Sequence, residues 1–174
     1  AASAGLFGYL GYDMIRLVEH LPNVNPDPLG LPDAMMMRPS VVAVLDGVKG
    51  EVILVSPAFQ GSGLSARAAY AQAAERVMDA LRDLDRQPPT THDLGDVTET
   101  PEPVSNFAHA DYLAAVEKAK EYIAAGDIFQ VVPSQRWRQD FTLPPFSLYR
   151  SLRRTNPSPF MFYFNFGGFQ VIGA

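Results

Sequence analysis

The sequence predicts an α+β protein, α/β in content, with largely antiparallel sheets and with helices on their outer face. Three observations favour this class. Two pairs of short β-branched or aromatic runs are joined by turn residues, as antiparallel hairpins require. Two longer segments carry apolar residues every three or four positions, which is typical of amphipathic helices. A regular alternation of strand and helix, which would indicate a parallel sheet, is not seen.

The first predicted elements are a strand, a short helix and a hairpin. The glycines of Gly5–Tyr12 predict a strand that another backbone approaches closely. Asp13–His20 has its apolar residues on one side, and we expect a short amphipathic helix there. Val41–Leu45 and Val52–Val55 are β-branched runs joined by Asp-Gly-Val-Lys-Gly, which predicts two antiparallel strands.

A long helix is predicted next, and it ends before Pro88 and Pro89. Its expected apolar face consists of Leu64, Ala68, Ala71, Ala74, Met78, Leu81 and Leu84. We interpret residues 1–87 as part of an N-terminal region of the fold. Residues 88–106 carry four acids, four prolines and no Lys or Arg, so they cannot bury enough surface to offset the entropy of ordering. We expect an exposed acidic, Pro-rich linker there.

The second half of the chain opens with a helix and a β-rich run. Asp111–Ala125 has a helical apolar period, and Gly126 is well placed to follow the last helical residue. Ile128–Trp137 is rich in β-forming residues but is interrupted by Pro133, which predicts a bulge or an unpaired edge.

A short helix and a second hairpin complete the chain. Phe146–Arg154 predicts a helix whose arginines near the C-terminus complement the helix dipole. That helix must stop before the Asn-Pro dipeptide at Asn156. Phe160–Phe166 and Phe169–Ile172, joined by two glycines, predict an antiparallel hairpin.

Composition and charge exclude several classes of function. Fourteen basic against nineteen acidic residues give a net charge of −5, and no basic run tracks a phosphate backbone, so nucleic acid is not an expected partner. The absence of cysteine excludes disulfides and thiolate metal sites. No stretch reaches the ~18 apolar residues of a membrane span, and the opening residues lack the positive region of a signal peptide. We expect a cytoplasmic protein.

Common catalytic signatures are absent from the sequence. The three histidines, His20, His92 and His109, lie far apart, and we interpret them as surface or capping residues. Neither a Gly-x-Ser-x-Gly elbow nor a phosphate-binding P-loop is present. The residues alone therefore do not indicate a catalytic reaction.

Three motifs carry a family resemblance. They are the opening Gly-Leu-Phe-Gly-Tyr of Gly5–Tyr9, the phrase Gly-Asp-Ile-Phe-Gln-Val-Val-Pro-Ser of Gly126–Ser134, and Asn-Pro-Ser-Pro-Phe-Met-Phe of Asn156–Phe162. With them the chain resembles the chorismate-utilising enzymes, and in particular the large subunit of anthranilate synthase. The match spans the chain and is weaker through Leu64–Phe107. The resemblance implies the anthranilate synthase fold, with residues 107–174 as the start of a truncated chorismate-binding region.

The resemblance also implies an activity. Large subunits of this kind are lyases that convert chorismate and ammonia to anthranilate and pyruvate in tryptophan biosynthesis. A glutamine amidotransferase subunit delivers the ammonia, Mg²⁺ is the cofactor, and tryptophan is a feedback inhibitor. Two alternatives stay open: the large subunit of aminodeoxychorismate synthase, whose versions of these motifs usually lack Pro-Ser after Val-Val and Met after Pro-Phe, and a non-catalytic module that binds an aromatic amino acid.

Gln130 matches a position that faces the substrate ring in this family. Related isochorismate synthases, which add water, typically have a lysine there that acts as a general base. A neutral glutamine cannot deprotonate water, whereas ammonia needs no such help. The resemblance thus implies a substrate-facing role without proton transfer. The residues alone, without the resemblance, favour the other interpretation, in which the Gln130 amide satisfies backbone groups inside a sheet.

The proline-rich motif resembles part of the tryptophan site of anthranilate synthases. The residues it implies for that effector site are Asn156, Pro157, Ser158, Pro159, Phe160, Met161 and Gly173. The prolines fix φ, while a ring and a thioether are suitable contacts for an indole. The alternative is that the prolines end a helix and the aromatic residues fill a core.

The remaining machinery of the family is not expected in this sequence. The acid/base histidine and glutamate, the magnesium-binding glutamates and the groups that bind the chorismate carboxylates follow Gly173 in relatives. The resemblance also implies that the segment completing the tryptophan pocket precedes Ala1. We therefore expect an internal fragment that is inactive alone.

Overall fold

The computed structural model describes residues 2–22, 25–59, 61, 63–87 and 101–174. The chain divides into two compact units, residues 1–90 and 91–174, which are described separately below. Every strand pair in the described residues is antiparallel, and α-helices are found in both units. The predicted α+β class with antiparallel sheets is therefore confirmed.

The first unit begins with a two-stranded ribbon of β1 (Phe7–Leu10) and β2 (Ala34–Met37), in which Gly8 lies opposite Met36. A Cβ atom at Gly8 would lie 1.9 Å from the carbonyl oxygen of Met35, closer than any real contact. The predicted close approach of a second backbone to this strand is confirmed, and it requires glycine at this position.

The prediction of an amphipathic helix at Asp13–His20 is wrong in helix type and in length, because a 3₁₀-helix forms at Tyr12–Leu17 instead. The Arg16 side chain explains the early stop. It donates to the carbonyl oxygens of Leu21 and Pro22, at 3.0 and 3.2 Å, and so ties the chain that follows back against the helix. A regular α-helix through residue 20 is incompatible with that return.

The first hairpin consists of β3 (Val42–Asp46) and β4 (Glu51–Val55), as predicted. The carboxylate of Asp46 accepts hydrogen bonds from the backbone N–H groups of Val48 and Lys49, both at 3.0 Å. An aspartate that bonds the backbone two residues on is a standard way to stabilise a turn, and it fixes the register of the two strands.

Helix α1 (Ala66–Leu84) packs against β4 and confirms the long predicted helix. Ser65 caps it by accepting a hydrogen bond from the N–H of Ala68, at 3.2 Å. The predicted inner face is wrong, because the buried residues are Ala69 and Ala73, whereas Ala71, Ala74, Met78 and Leu81 are exposed. Residues four positions apart lie on one face of a helix. Because both are alanines with small side chains, the helix can approach the hairpin closely.

The second unit opens with a short strand pair and a helix. Strand β5 (Val104–Ser105) pairs with β6 (Trp137–Arg138), and α2 (His109–Ala125) lies between them in sequence. Gly126 follows α2 with φ at +83°, so the predicted glycine after the helix is confirmed. Residues 88–100 of the predicted linker lie outside the described residues. The linker and the boundaries at 1–87 and 107–174 stay predictions.

The β-rich run predicted at Ile128–Trp137 is wrong for most of its length, because only Trp137 is in a strand. Pro133 has no backbone N–H to donate to a ladder, and β6 accordingly covers only two residues. The residues around Gln130 therefore form an irregular connection.

Helix α3 (Pro145–Thr155) and the hairpin of β7 (Phe162–Asn165) and β8 (Gln170–Gly173) confirm the last predicted elements. The helix packs on both strands. The Phe146 ring stacks on Tyr149 and meets Tyr163 edge-on, with ring centroids 5.6 and 5.2 Å apart. Such pairs contribute about 0.5–1.5 kcal/mol each beyond area burial. This cluster joins the helix to the hairpin.

Candidate functional site

The connection of Asn156–Met161 links the end of α3 to the start of β7. Asn156 terminates the helix: its N–H donates to the carbonyl oxygen of Leu152 at 2.8 Å, while its own φ and ψ, −141° and 68°, are not helical. Pro157 disfavours the helical conformation for the residue before it, which explains why the helix ends there.

A local hydrogen bond shapes the middle of this connection. The Ser158 hydroxyl accepts from the backbone N–H of Phe160, at 3.3 Å, which is a serine turn. Pro157 and Pro159 fix φ on either side of Ser158, so the backbone loses little further entropy when a ligand binds. A pre-organised backbone of this kind is suited to holding a small ligand by its carbonyl groups.

The aromatic residues here divide between packing and exposure. Tyr163 packs against α3, and Phe162 stacks on Phe164 with centroids 5.3 Å apart. Phe160, by contrast, is 84% exposed, and Met161 beside it is half-buried. The core-filling interpretation thus describes Tyr163 and Phe164, whereas Phe160 is left available for contact with another group.

Gly173 lies at the same end of the hairpin as this connection. It is the register partner of Phe162, the residue immediately after Met161. A Cβ atom at position 173 would lie 2.3 Å from Cζ and 2.5 Å from Cε1 of the Phe162 ring. The Phe162 ring therefore rests on the Gly173 backbone, and the hairpin brings Gly173 next to the Asn156–Met161 segment.

Gln130 lies on the irregular connection after α2 and is exposed. Its neighbour Phe129 is 95% exposed and Val132 is 78% exposed. In the described ranges, Gln130 lies outside every strand, so it is not an amide buried inside a sheet. No hydrogen bond or ring contact between described residues joins Gln130 to the Asn156–Met161 segment.

Neither a metal nor a membrane span is accommodated by the described residues. Within them, no three His, Cys, Asp or Glu side chains converge on a point where a metal ion could bind. The described residues thus offer no ready-made set of three such ligands for Mg²⁺. His20 and His109 are exposed, and His92 lies outside the described residues. None of the described helices is both long enough and apolar enough to cross a bilayer.

Sequence reasoning missed a cavity in the first unit. Arg38 and Arg76 line it together with Phe59. The sequence carries no signal for this cavity, because Arg76 is one of several charged residues on α1 and nothing in the pattern indicates what it meets.

The comparison with families agrees with the resemblance that these motifs carry. A family model described as chorismate binding enzyme matches residues 1–174. The chain belongs to this family.

More particularly, the chain is similar to component 1 of anthranilate synthase. It is 80% identical to that protein from Cereibacter sphaeroides, over 99% of this chain and 34% of the relative. The identity is 44% with the Pseudomonas putida protein, over 99% of this chain and 35% of the relative. The chain thus spans about a third of the length of the curated relatives it matches.

A solved structure agrees. Anthranilate synthase component I from Streptococcus pneumoniae superposes with a TM-score of 0.79 at 31% identity, covering 98% of this chain and 38% of that one. The prediction that the chain has the anthranilate synthase fold is therefore confirmed.

The contact of Phe162 with Gly173 makes a testable prediction. Gly173→Ala should lower the free energy of unfolding of the full-length natural protein by about 1–3 kcal/mol, because the new methyl group displaces the Phe162 ring. Gly168→Ala is the matched control, since a Cβ atom there meets nothing within 4 Å. Urea denaturation measures both variants.

A double-mutant cycle identifies the cause of that loss. Adding Phe162→Leu removes the ring that the methyl group meets, so Gly173→Ala should cost less in that background. Equal costs in the two backgrounds would contradict a clash with the Phe162 ring.

Proposed function

We propose that this chain is part of the large subunit of an anthranilate synthase, a cytoplasmic lyase of tryptophan biosynthesis. The single observation that carries the proposal is the 80% identity to component 1 of such an enzyme over 99% of the chain. The substrate is chorismate, and the products are anthranilate and pyruvate. A glutamine amidotransferase subunit is the partner that supplies ammonia.

The proposed reaction has two stages. Ammonia adds to C2 of chorismate as the 4-hydroxyl group leaves, and pyruvate is then eliminated to give the aromatic ring. The acid/base groups and the Mg²⁺ ligands are assigned by resemblance to parts of the protein beyond residue 174. No step is therefore assigned to a metal-binding residue of this chain.

In this proposal Gln130 contacts the substrate ring without transferring a proton. Its amide can donate and accept hydrogen bonds but has no group that titrates near neutral pH. Its exposure on the irregular connection after α2 supports access to a small ligand. Ammonia is itself a nucleophile, so the reaction needs no general base at this position.

The Asn156–Met161 segment together with Gly173 is the proposed tryptophan site, through which the end product inhibits the enzyme. The exposed Phe160 ring offers a face for the indole, and the Met161 thioether offers a polarizable contact. The backbone carbonyl groups of Asn156–Pro159 accept hydrogen bonds from the ammonium group of the amino acid. The closeness of Gly173 to Phe162 supports its inclusion.

An assay of products tests the activity. The full-length natural protein, given chorismate, ammonium ion and Mg²⁺, should form anthranilate and pyruvate in equal amounts, as measured by fluorescence and by coupled reduction of pyruvate. Aminodeoxychorismate without pyruvate would favour the aminodeoxychorismate synthase alternative, and no product would favour the binding module. Residues 1–174 alone should form no anthranilate.

Gln130→Ala tests the role of the glutamine. We expect kcat/KM for chorismate to fall about tenfold, as the loss of a hydrogen bond predicts, with no change in the shape of the pH profile. Gln87→Ala, at an exposed position after α1, is the control. Loss of one limb of the pH profile in Gln130→Ala would show instead that Gln130 controls the protonation of a neighbouring catalytic group, and would contradict a role limited to contact with the substrate ring.

Phe160→Ala tests the tryptophan site. The tryptophan concentration for half-inhibition should rise about tenfold or more, because the variant loses the ring that contacts the indole, while uninhibited turnover stays near that of the wild type. Tyr70→Ala removes another exposed ring, 72% accessible on α1, and should leave inhibition unchanged. Wild-type inhibition in Phe160→Ala would exclude Phe160 from the site.

A further inference from the structure

The first unit contains a cavity of about 220 Å³ where α1 meets the ends of the β3–β4 hairpin. Two arginines line it, Arg38 before β3 and Arg76 on α1, together with the polar side chains of Ser40 and Gln72. The volume lies below the roughly 300–1,000 Å³ of sites for drug-sized ligands, which favours a small occupant.

Arg76 is held in place by two hydrogen bonds to the chain that follows β4. Its Nε donates to the Ser56 hydroxyl and its Nη2 to the carbonyl oxygen of Pro57, both at 3.0 Å. Both acceptors are neutral, so they leave the charge of the guanidinium group uncompensated. Nη1 makes no hydrogen bond to the described residues and can therefore donate to a ligand.

Arg38 is oriented by an aromatic ring. Its Cζ lies 4.3 Å from the centroid of the Phe59 ring, a cation–π distance. Among the described residues, the Arg38 guanidinium group makes no hydrogen bond or ion pair, so its N–H groups are available to a ligand. A planar edge with parallel N–H donors matches the oxygens of phosphate or carboxylate groups.

None of the described residues that line the cavity is acidic. Asp79, one helical turn beyond Arg76, is engaged by Arg82 instead. Within the described ranges, neither Arg38 nor Arg76 makes an ion pair, although the whole chain carries a net charge of −5. Two like charges in one cavity repel each other, and an anion between them removes that cost.

We propose that this cavity binds one small oxyanion of the phosphate class, held by Arg38 and Arg76 with Ser40 and Gln72 as neutral hydrogen-bonding partners. The site uses none of the residues proposed to contact chorismate or tryptophan, so it is a separate binding function. Arg76 is held by its bonds to Ser56 and Pro57, and Arg38 supplies the second guanidinium group from its position over the Phe59 ring.

Calorimetric titration of the full-length natural protein with inorganic phosphate tests the proposal, at a constant ionic strength of about 0.1 M to hold screening fixed. We expect one phosphate per chain, displaced by sulfate. In Arg38→Ala the dissociation constant should rise at least about tenfold, as loss of a charge-assisted hydrogen bond predicts. Arg76→Lys, which keeps the charge but loses the planar fork, should also bind more weakly.

Arg67→Ala is the matched control, because it removes one positive charge from α1 at a residue that does not line the cavity. It should bind phosphate within about twofold of the wild type, since a charge outside the site acts only through a screened field. Equal weakening in Arg67→Ala and Arg38→Ala would show non-specific attraction and overturn the site. Absence of saturable binding by the wild type, as when a carboxylate of another segment fills the cavity, would also overturn it.

Discussion

The packing of one helix against one hairpin is the interaction on which each unit depends. A two-stranded hairpin alone is marginally stable in water at best. Helix α1 packs against β4 in the first unit, and α3 packs against β7 and β8 in the second. Because Ala69 and Ala73 are the only buried residues among those described, large side chains at these contacts are only partly covered. In these units, close contact between backbones and pairs of aromatic rings stabilise the packing, in place of fully buried large side chains.

The same packing creates both candidate binding regions. In the second unit, α3 and β7 fix the two ends of the Asn156–Met161 connection. The prolines and the Ser158 turn then determine the backbone conformation between those ends. In the first unit, the close approach of α1 places Arg76 against the chain after β4 and leaves a cavity beside it. Contact between helix and hairpin thus determines where polar groups become available to ligands.

Local patterns predicted the elements well, and tertiary contacts explain the errors. Turn chemistry and β-branched runs located both hairpins because those signals act within a few residues. The inner face of α1 was wrong because the periodicity of a helix rich in alanine does not distinguish which alanines the hairpin approaches. The motif at Asn156 indicated the candidate site, but the exposure of Phe160 did not follow from the motif. The arginine cavity was missed because Arg38, Phe59 and Arg76 meet only when α1 packs.

Hydrogen exchange in a Phe146→Ala variant of the full-length protein tests the dependence of the hairpin on its helix most directly. Phe146 is on α3 and is not part of either strand, so its substitution can affect β7 and β8 only by weakening the packing of the helix on them. The amides of both strands should exchange about tenfold faster in this variant, and those in a Phe141→Ala control, at a half-exposed residue outside α3, should not. Unchanged exchange in Phe146→Ala would contradict the claim that the hairpin is stabilised by the helix.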